Sequence, residues 1–327
     1  MTKSERANAA TRSASWVTTG ASVLNGMFGD YLYRRKNGLA IEMAFMHDNA
    51  PLTLAPDALG EFLPEPSRKI VVLLHGLCCN EGSWRLRGDV PDDDTSYGAL
   101  LQQDLGHTPF YLRYNTGLPI ADNGAQFSAL MAKLLATYPV EVDEIVIIGH
   151  SMGGLVTRSA CEIAAAGGEA WVAKVSKAFY LGTPHDGADL EKFVHVASAA
   201  LDAIPNPITN VIGGVLALRS HGIKDLRHGA AHGLASPRPK AGSIPWLGHA
   251  QHYLIAGSLT EDPQHVITQI FGDALVRMPG KRTRALLPAK NIKVFKKLNH
   301  MALAHDRQVY RQIRQWCADQ PEGKTHE

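Results

Sequence analysis

Hydrophobic positions along this chain alternate between two rhythms. Short, mostly apolar runs occur at 69–74, 110–114, 145–148, 177–181, 253–256 and 292–295 and read as strands, those at 69–74 and 145–148 as clearly buried ones. Between them, apolar residues recur at helical spacing over 97–105, 124–137, 152–166 and 263–271, and a last helix over 302–318 closes the pattern. Strands alternating with helices imply an α/β fold with a mostly parallel sheet and helices on both faces. In such a sheet the functional groups gather at the carboxyl ends of the strands.

Two regions depart from that alternation. Near the N-terminus, Val17, Ala21, Leu24, Phe28 and Tyr31 fall on one helical face, and a second patterned piece follows at 39–46. Together they read as an N-terminal helical extension that packs on the main domain, behind a small, polar and loose tail over 1–14. Residues 51–66 are a proline-bearing connector. Far along the chain, 187–243 is much longer than the dozen or so residues a crossover needs. Leu190, Phe193, Val194, Ala197, Leu201 and Ile204 outline one amphipathic helix there, and Ile208 to Leu218 a second, softened by Gly213-Gly214. This reads as a helical cap or lid over a site. The division expected is therefore 1–66 tail and extension, 67–320 catalytic domain with a cap insertion at about 187–243, and 321–327 C-terminal tail.

Composition narrows the field without choosing within it. The 327 residues are 45% hydrophobic and 20% charged, and 33 basic against 31 acidic side chains leave a formal charge of +2. That balance carries no footprint for nucleic acid or for an anionic membrane. Cys78, Cys79, Cys161 and Cys317 include no C-x-x-C pair, so neither a disulfide framework nor a zinc site is expected. The polar start has no apolar stretch behind it, and no run approaches the roughly 20 apolar residues of a membrane span. A cytoplasmic protein with no integral membrane segment is the expectation. Oligomeric state is left open.

The chemistry centres on Gly149-His150-Ser151-Met152-Gly153-Gly154, between the strand at 145–148 and a helical pattern. Strand, G-x-S-x-G and helix is the setting of a nucleophile elbow. Gly149 and Gly153 let strand and helix approach, and Ser151 is expected to stand exposed at a helix N-terminus, where backbone N–H groups favour developing negative charge. A serine hydroxyl needs a base. Of fifteen histidines, His300 follows the last strand in a loop on the site-bearing edge. His305 is expected inside the final helix, and His252 before a strand, at the wrong end. His75 and His150 flank glycines and are read as shaping turns. The oxyanion donors are assigned to the N–H groups of Leu77, in the turn His75-Gly76-Leu77, and of Met152.

The acid is either Asp262 or Asp273, both after the strand at 253–256. Position favours Asp262, which lies closer to the strand end. Yet Asp262 precedes Pro263 and a helical pattern, so it is explained as an N-cap. Gly272 ends that helix, and Asp273 has no such explanation.

At this point the chain resembles the α/β-hydrolase superfamily, and within it bacterial lipase- and esterase-like members related to GPI inositol-deacylase-like proteins. The resemblance runs over about 69–316. It is carried by His75-Gly76-Leu77, Tyr114-Asn115-Thr116-Gly117, Gly149 to Gly154, Leu181-Gly182-Thr183-Pro184-His185-Asp186-Gly187, Gly272-Asp273-Ala274-Leu275-Val276 and Asn299-His300. One departure is Ala274, where relatives often carry Gly. The resemblance implies the α/β-hydrolase fold, an ester hydrolase with a Ser151-Asp273-His300 triad, a small-molecule or lipid ester as substrate, and no metal or organic cofactor. The same triad would equally serve an acyltransferase or a thioesterase.

Overall fold

The structure is a computed structural model. It describes residues 3–86, 95–185, 246–258 and 287–319, with side chains from residue 18 onward. The cap expected at 187–243, the helix expected at 263–271, and both candidate acids, Asp262 and Asp273, lie outside the described residues.

The chain begins with a long helix, α1 (Lys3–Arg34), followed by the strands β1 (Ala44–His47) and β2 (Ala50–Pro51) and the short helix α2 (Pro56–Phe62). There follow β3 (Lys69–Leu74), α3 (Tyr97–Leu105), β4 (Thr108–Arg113), α4 (Ile120–Thr137), β5 (Glu144–His150), α5 (Met152–Gly167) and β6 (Val175–Leu181). The described elements end with β7 (Gln251–Ser258), β8 (Ile292–Lys296) and α6 (Arg307–Ala318). Among the described residues they form one eight-stranded sheet in the order β2-β1-β4-β3-β5-β6-β7-β8. Every pairing from β4 to β8 is parallel, while β1 joins β2 and β4 antiparallel.

β3 shows how the sheet splits its core. Ile70, Val72 and Leu74 face a large apolar cluster reached by α1, α2, α4 and α5. Val71 and Leu73 face a second cluster with α3 and α6. A strand buried on both sides is apolar at every position. The helix ends are signed in the sequence as well. Ser96 accepts the Ala99 N–H and Gly106, at φ 71°, closes α3.

Three expectations are corrected at the ends of the chain. The segment 39–46 is not part of a helical extension, because 44–47 is the strand β1. Asp48 and Asn49, at φ 46° and 64°, make the two-residue reversal into β2. The helix α1 starts at Lys3, so 3–14 is helical rather than a loose tail; Ala7, Ala9, Ala10 and Ala14 supply strong helix formers there. The final helix begins at Arg307 because the Asp306 side chain accepts the N–H groups of Gln308 and Val309. His305 therefore lies in a turn outside the helix.

Candidate active site

The elbow is built by glycines around one residue in a rare conformation. Ser151 has φ 52° and ψ −121°, a backbone state that costs about 1–3 kcal/mol and persists only where its surroundings enforce it. Its N–H donates to the Leu181 carbonyl at 2.7 Å. A methyl at Gly149 would stand 2.6 Å from the Gly154 backbone, and one at Gly153 would run into the Leu74 and His75 carbonyls. The bare Gly149 lets β5 meet α5, and the bare Gly153 lets α5 meet the end of β3. Ser151 is the N-cap of α5, so the N–H of Met152, first residue of that helix, has no intrahelical partner. Against expectation, Ser151 is not exposed but buried, at 3% relative exposure. The turn at Gly76 closes over it, so that a methyl there would come within 3.1 Å of both Ser151 Cβ and His150 Nδ1.

His300 comes to the same place from the other side. After β8 the chain reverses at Lys297, φ 57°, and the Leu298 N–H donates to the Ser258 carbonyl at 3.0 Å. The imidazole of His300 then rests on Gly182, itself at φ 59°; a Cβ on that glycine would lie 2.7 Å from His300 Nδ1. Gly182 directly follows Leu181, the acceptor of the Ser151 N–H. His150 completes the seat, with its Nε2–H donating to the His300 carbonyl at 3.0 Å and the two rings 4.7 Å apart. Burial first, and the neighbouring imidazoles second, hold the His150 pKa well below its ordinary value. A neutral neighbour does not oppose a positive charge arising on His300.

The turn after β3 is tied more densely. His75 Nδ1–H donates to the Gly76 carbonyl at 2.9 Å, and its ring stacks on Tyr114 at 4.5 Å. Burial pushes its pKa down to about 4, so it stays neutral. The Tyr114 hydroxyl donates to the His75 carbonyl at 2.8 Å, and the Cys78 N–H donates to Thr116 Oγ1 at 3.2 Å. The Tyr114-Asn115-Thr116-Gly117 segment was singled out only by resemblance. Its physical role is to brace the turn that carries Leu77.

Sequence reasoning missed a buried cluster beside the elbow helix. Arg158 lies 4.4 Å over the Trp246 ring, and its Nη1–H donates to His185 Nδ1 at 3.1 Å. Tyr180 stacks on His252 and donates its hydroxyl to His252 Nδ1 at 3.1 Å. His252 does not precede the strand, as expected, but is the second residue of β7, and burial lowers its pKa to about 4. Separate histidine and aromatic positions make up this cluster, and no spacing in the sequence links them.

Among the described residues no group of three His, Cys, Asp or Glu side chains could hold a metal ion. All four cysteines are free. No helix of the described residues is long and apolar enough to cross a membrane.

Residues 69–206 match the family model of the PGAP1-like alpha/beta domain. No curated protein matches the chain. Among solved structures, the mature form of a lipase from Bacillus licheniformis aligns with a TM-score of 0.51 at 17% identity, over 77% of this chain and 93% of the lipase. A lipase-esterase related protein from Clostridium acetobutylicum aligns with a TM-score of 0.43 at 14% identity, over 76% of this chain and 94% of its own. A thermophilic esterase from Thermogutta terrifontis gives 0.43 at 14% identity, over 77% and 90%. The sheet order, its parallel pairing and the first of these likenesses establish the α/β-hydrolase fold, as the resemblance implied.

Proposed function

We propose that this chain, an α/β hydrolase by fold, is a serine hydrolase of carboxylic esters. The observation that carries the reading is the convergence on one point of Ser151 in its enforced elbow conformation, the start of α5, and the His300 ring resting on Gly182. In the reaction, Ser151 Oγ attacks the acyl carbon while His300 takes the hydroxyl proton. Negative charge on the former carbonyl oxygen is assigned to the N–H groups of Leu77 and Met152 as the oxyanion donors. The alcohol leaves with the proton from His300, and water attacks the acyl-enzyme by the reverse proton path. Asp273 is assigned as the acid that orients His300, with Asp262 the alternative. The residues 187–243 are assigned as a cap that selects the acyl chain. Lipase and esterase relatives of the same fold support the ester class, and a lipid or small-molecule ester is the substrate assigned.

The test is a p-nitrophenyl ester series from acetate to palmitate, run beside labelling with a fluorophosphonate. Wild type should turn over at least one ester and take the label at Ser151, and Ser151→Ala should lose both while keeping its circular dichroism. Turnover by a folded Ser151→Ala that stays within about tenfold of wild type would remove Ser151 as nucleophile.

A further inference from the structure

The helix α1 has no part in the elbow, the base or the acid. Yet its inner face meets the protein at the two turns that carry and brace the proposed oxyanion donor. Gly26 faces Cys78: a methyl on Gly26 would overlap the Cys78 sulfur and press on the Cys78 backbone N and Cα at 3.2 Å. Gly29 faces Asn115, whose Nδ2 donates to the Gly29 carbonyl at 3.0 Å. Gly117 in turn lies against the Asn25 carbonyl and 2.7 Å, measured from an added Cβ, from the Gly29 nitrogen.

The helix itself is locked. Asn25, fully buried, donates to the Leu39 carbonyl and accepts the Ile41 N–H, both at 2.8 Å. Val23 and Met27 share an apolar cluster with Leu77, Cys78, Tyr114 and Met152. Glycine inside a helix costs about 1 kcal/mol against alanine. Its use at 26 and 29, where α1 comes against Cys78 and Asn115, is accounted for by the closeness of the contact. Cys78, next to Leu77, is held in the left-handed region at φ 59°. Thr116 holds the Cys78 N–H, and Gly26 packs against the sulfur, Cα and nitrogen of the same residue.

We infer that α1 is a positioning element for the catalytic turn, and that Gly26 sets where the Leu77 N–H stands. This rests on the ester-hydrolase reading for the identity of the donor. An oxyanion donor acts only at about 2.7–3.1 Å from the developing charge, and a misplacement of about 1 Å can cost about a hundredfold in rate. A helix that merely packed would alter stability and leave turnover per folded molecule alone.

The experiment compares kcat and KM on the best p-nitrophenyl ester for full-length wild type, Gly26→Ala, Gly26→Ala/Cys78→Ala and Gly20→Ala. Gly20 lies on the same helix with nothing within 4 Å of an added Cβ, so it isolates helix propensity. Gly26→Ala should lose about ten- to a hundredfold in kcat with KM within about threefold of wild type. Removing the Cys78 sulfur in the double variant should recover most of that loss, and Gly20→Ala should match wild type. A folded Gly26→Ala with wild-type kcat, or a loss that the double variant does not recover, overturns the inference. If Gly26→Ala fails to fold, Gly29→Ala on the same helix, whose methyl would meet the Asn115 side chain, takes its place, with about a tenfold fall in kcat at constant KM expected and an unchanged kcat contradicting. A wild type that neither hydrolyses esters nor takes the fluorophosphonate sinks the ester reading and this inference together. An active wild type beside an equally active Gly26→Ala sinks the inference alone.

Discussion

The turn after β3 and the turn after β8 carry the two proposed partners of Ser151, and they are held in opposite ways. The first is tied from outside. Tyr114 holds the His75 carbonyl, Thr116 holds the Cys78 N–H, and Gly26 of α1 backs Cys78. The second is seated by room. His300 lies where Gly182 has no side chain, and its carbonyl accepts the His150 Nε2–H at 3.0 Å and the Leu303 N–H at 3.4 Å. A turn tied at several points should lose function in steps, because each tie is about 1 kcal/mol. A base, whose imidazole does a chemical job that no neighbour shares, should fail nearly at once.

The largest effect expected is on the base side. His300→Ala should cost at least about ten-thousandfold in kcat, because members of a catalytic unit fail together. His305, in the turn just before α6, should be replaceable by Ala with kcat within about threefold. Steady-state kinetics on one ester decides between them. Equal, mild losses in the two variants would take the base role from His300 and remove the contrast between the turns.

How much of this was legible in the sequence follows from how local each signal is. The buried strands and the elbow declare themselves because a β-branched run and a G-x-S-x-G lie in consecutive residues. The strand at 44–47 did not, because so short a patterned piece cannot separate a period of 2 from one of 3.6. What makes it a strand is the free edge of β4, which is absent from the local pattern. The same holds at the site. His300 was chosen from its place after the last strand, and its ring lies against Gly182. The burial of Ser151 was not, because the cover comes from Gly76, far away in the chain. Gly26 and Gly29 look like weak points of a helix until the turns they touch are known.

Acid should load two buried histidines, one of them in the tied turn. His75 in the tied turn and His252 in β7 both have native pKa values pushed down to about 4 by burial. In the unfolded chain they take up protons near about pH 6.5. Between those values the unfolded state binds more protons, so stability falls as pH falls from about 6.5 toward 4. At pH 5 each of the two costs about 2 kcal/mol relative to pH 7. Urea unfolding at both pH values measures the loss, and in His75→Asn it should shrink by about 2 kcal/mol. A loss of the same size in that variant would mean that His75 is already charged or solvated in the folded protein.

The smallest effect tests whether the tied turn fails in steps. Tyr114 is almost wholly buried, and burial holds its phenol far above its ordinary pKa, so the hydroxyl acts as a neutral donor to the His75 carbonyl at 2.8 Å. Tyr114→Phe removes that one bond and keeps the ring that stacks on His75 at 4.5 Å. Thr116 and Gly26 stay in place, so the Leu77 N–H should shift little. The cost should be about 1 kcal/mol in stability, rising toward about 3 if the carbonyl finds no other partner. kcat should fall by less than about tenfold, below the roughly hundred- to thousandfold that loss of a whole oxyanion donor brings. Urea unfolding and kcat on the same preparation separate the outcomes. A loss of kcat of about a hundredfold would mean that the turn hangs on Tyr114 alone. A variant as stable as wild type would mean that the hydroxyl contributes nothing to holding it.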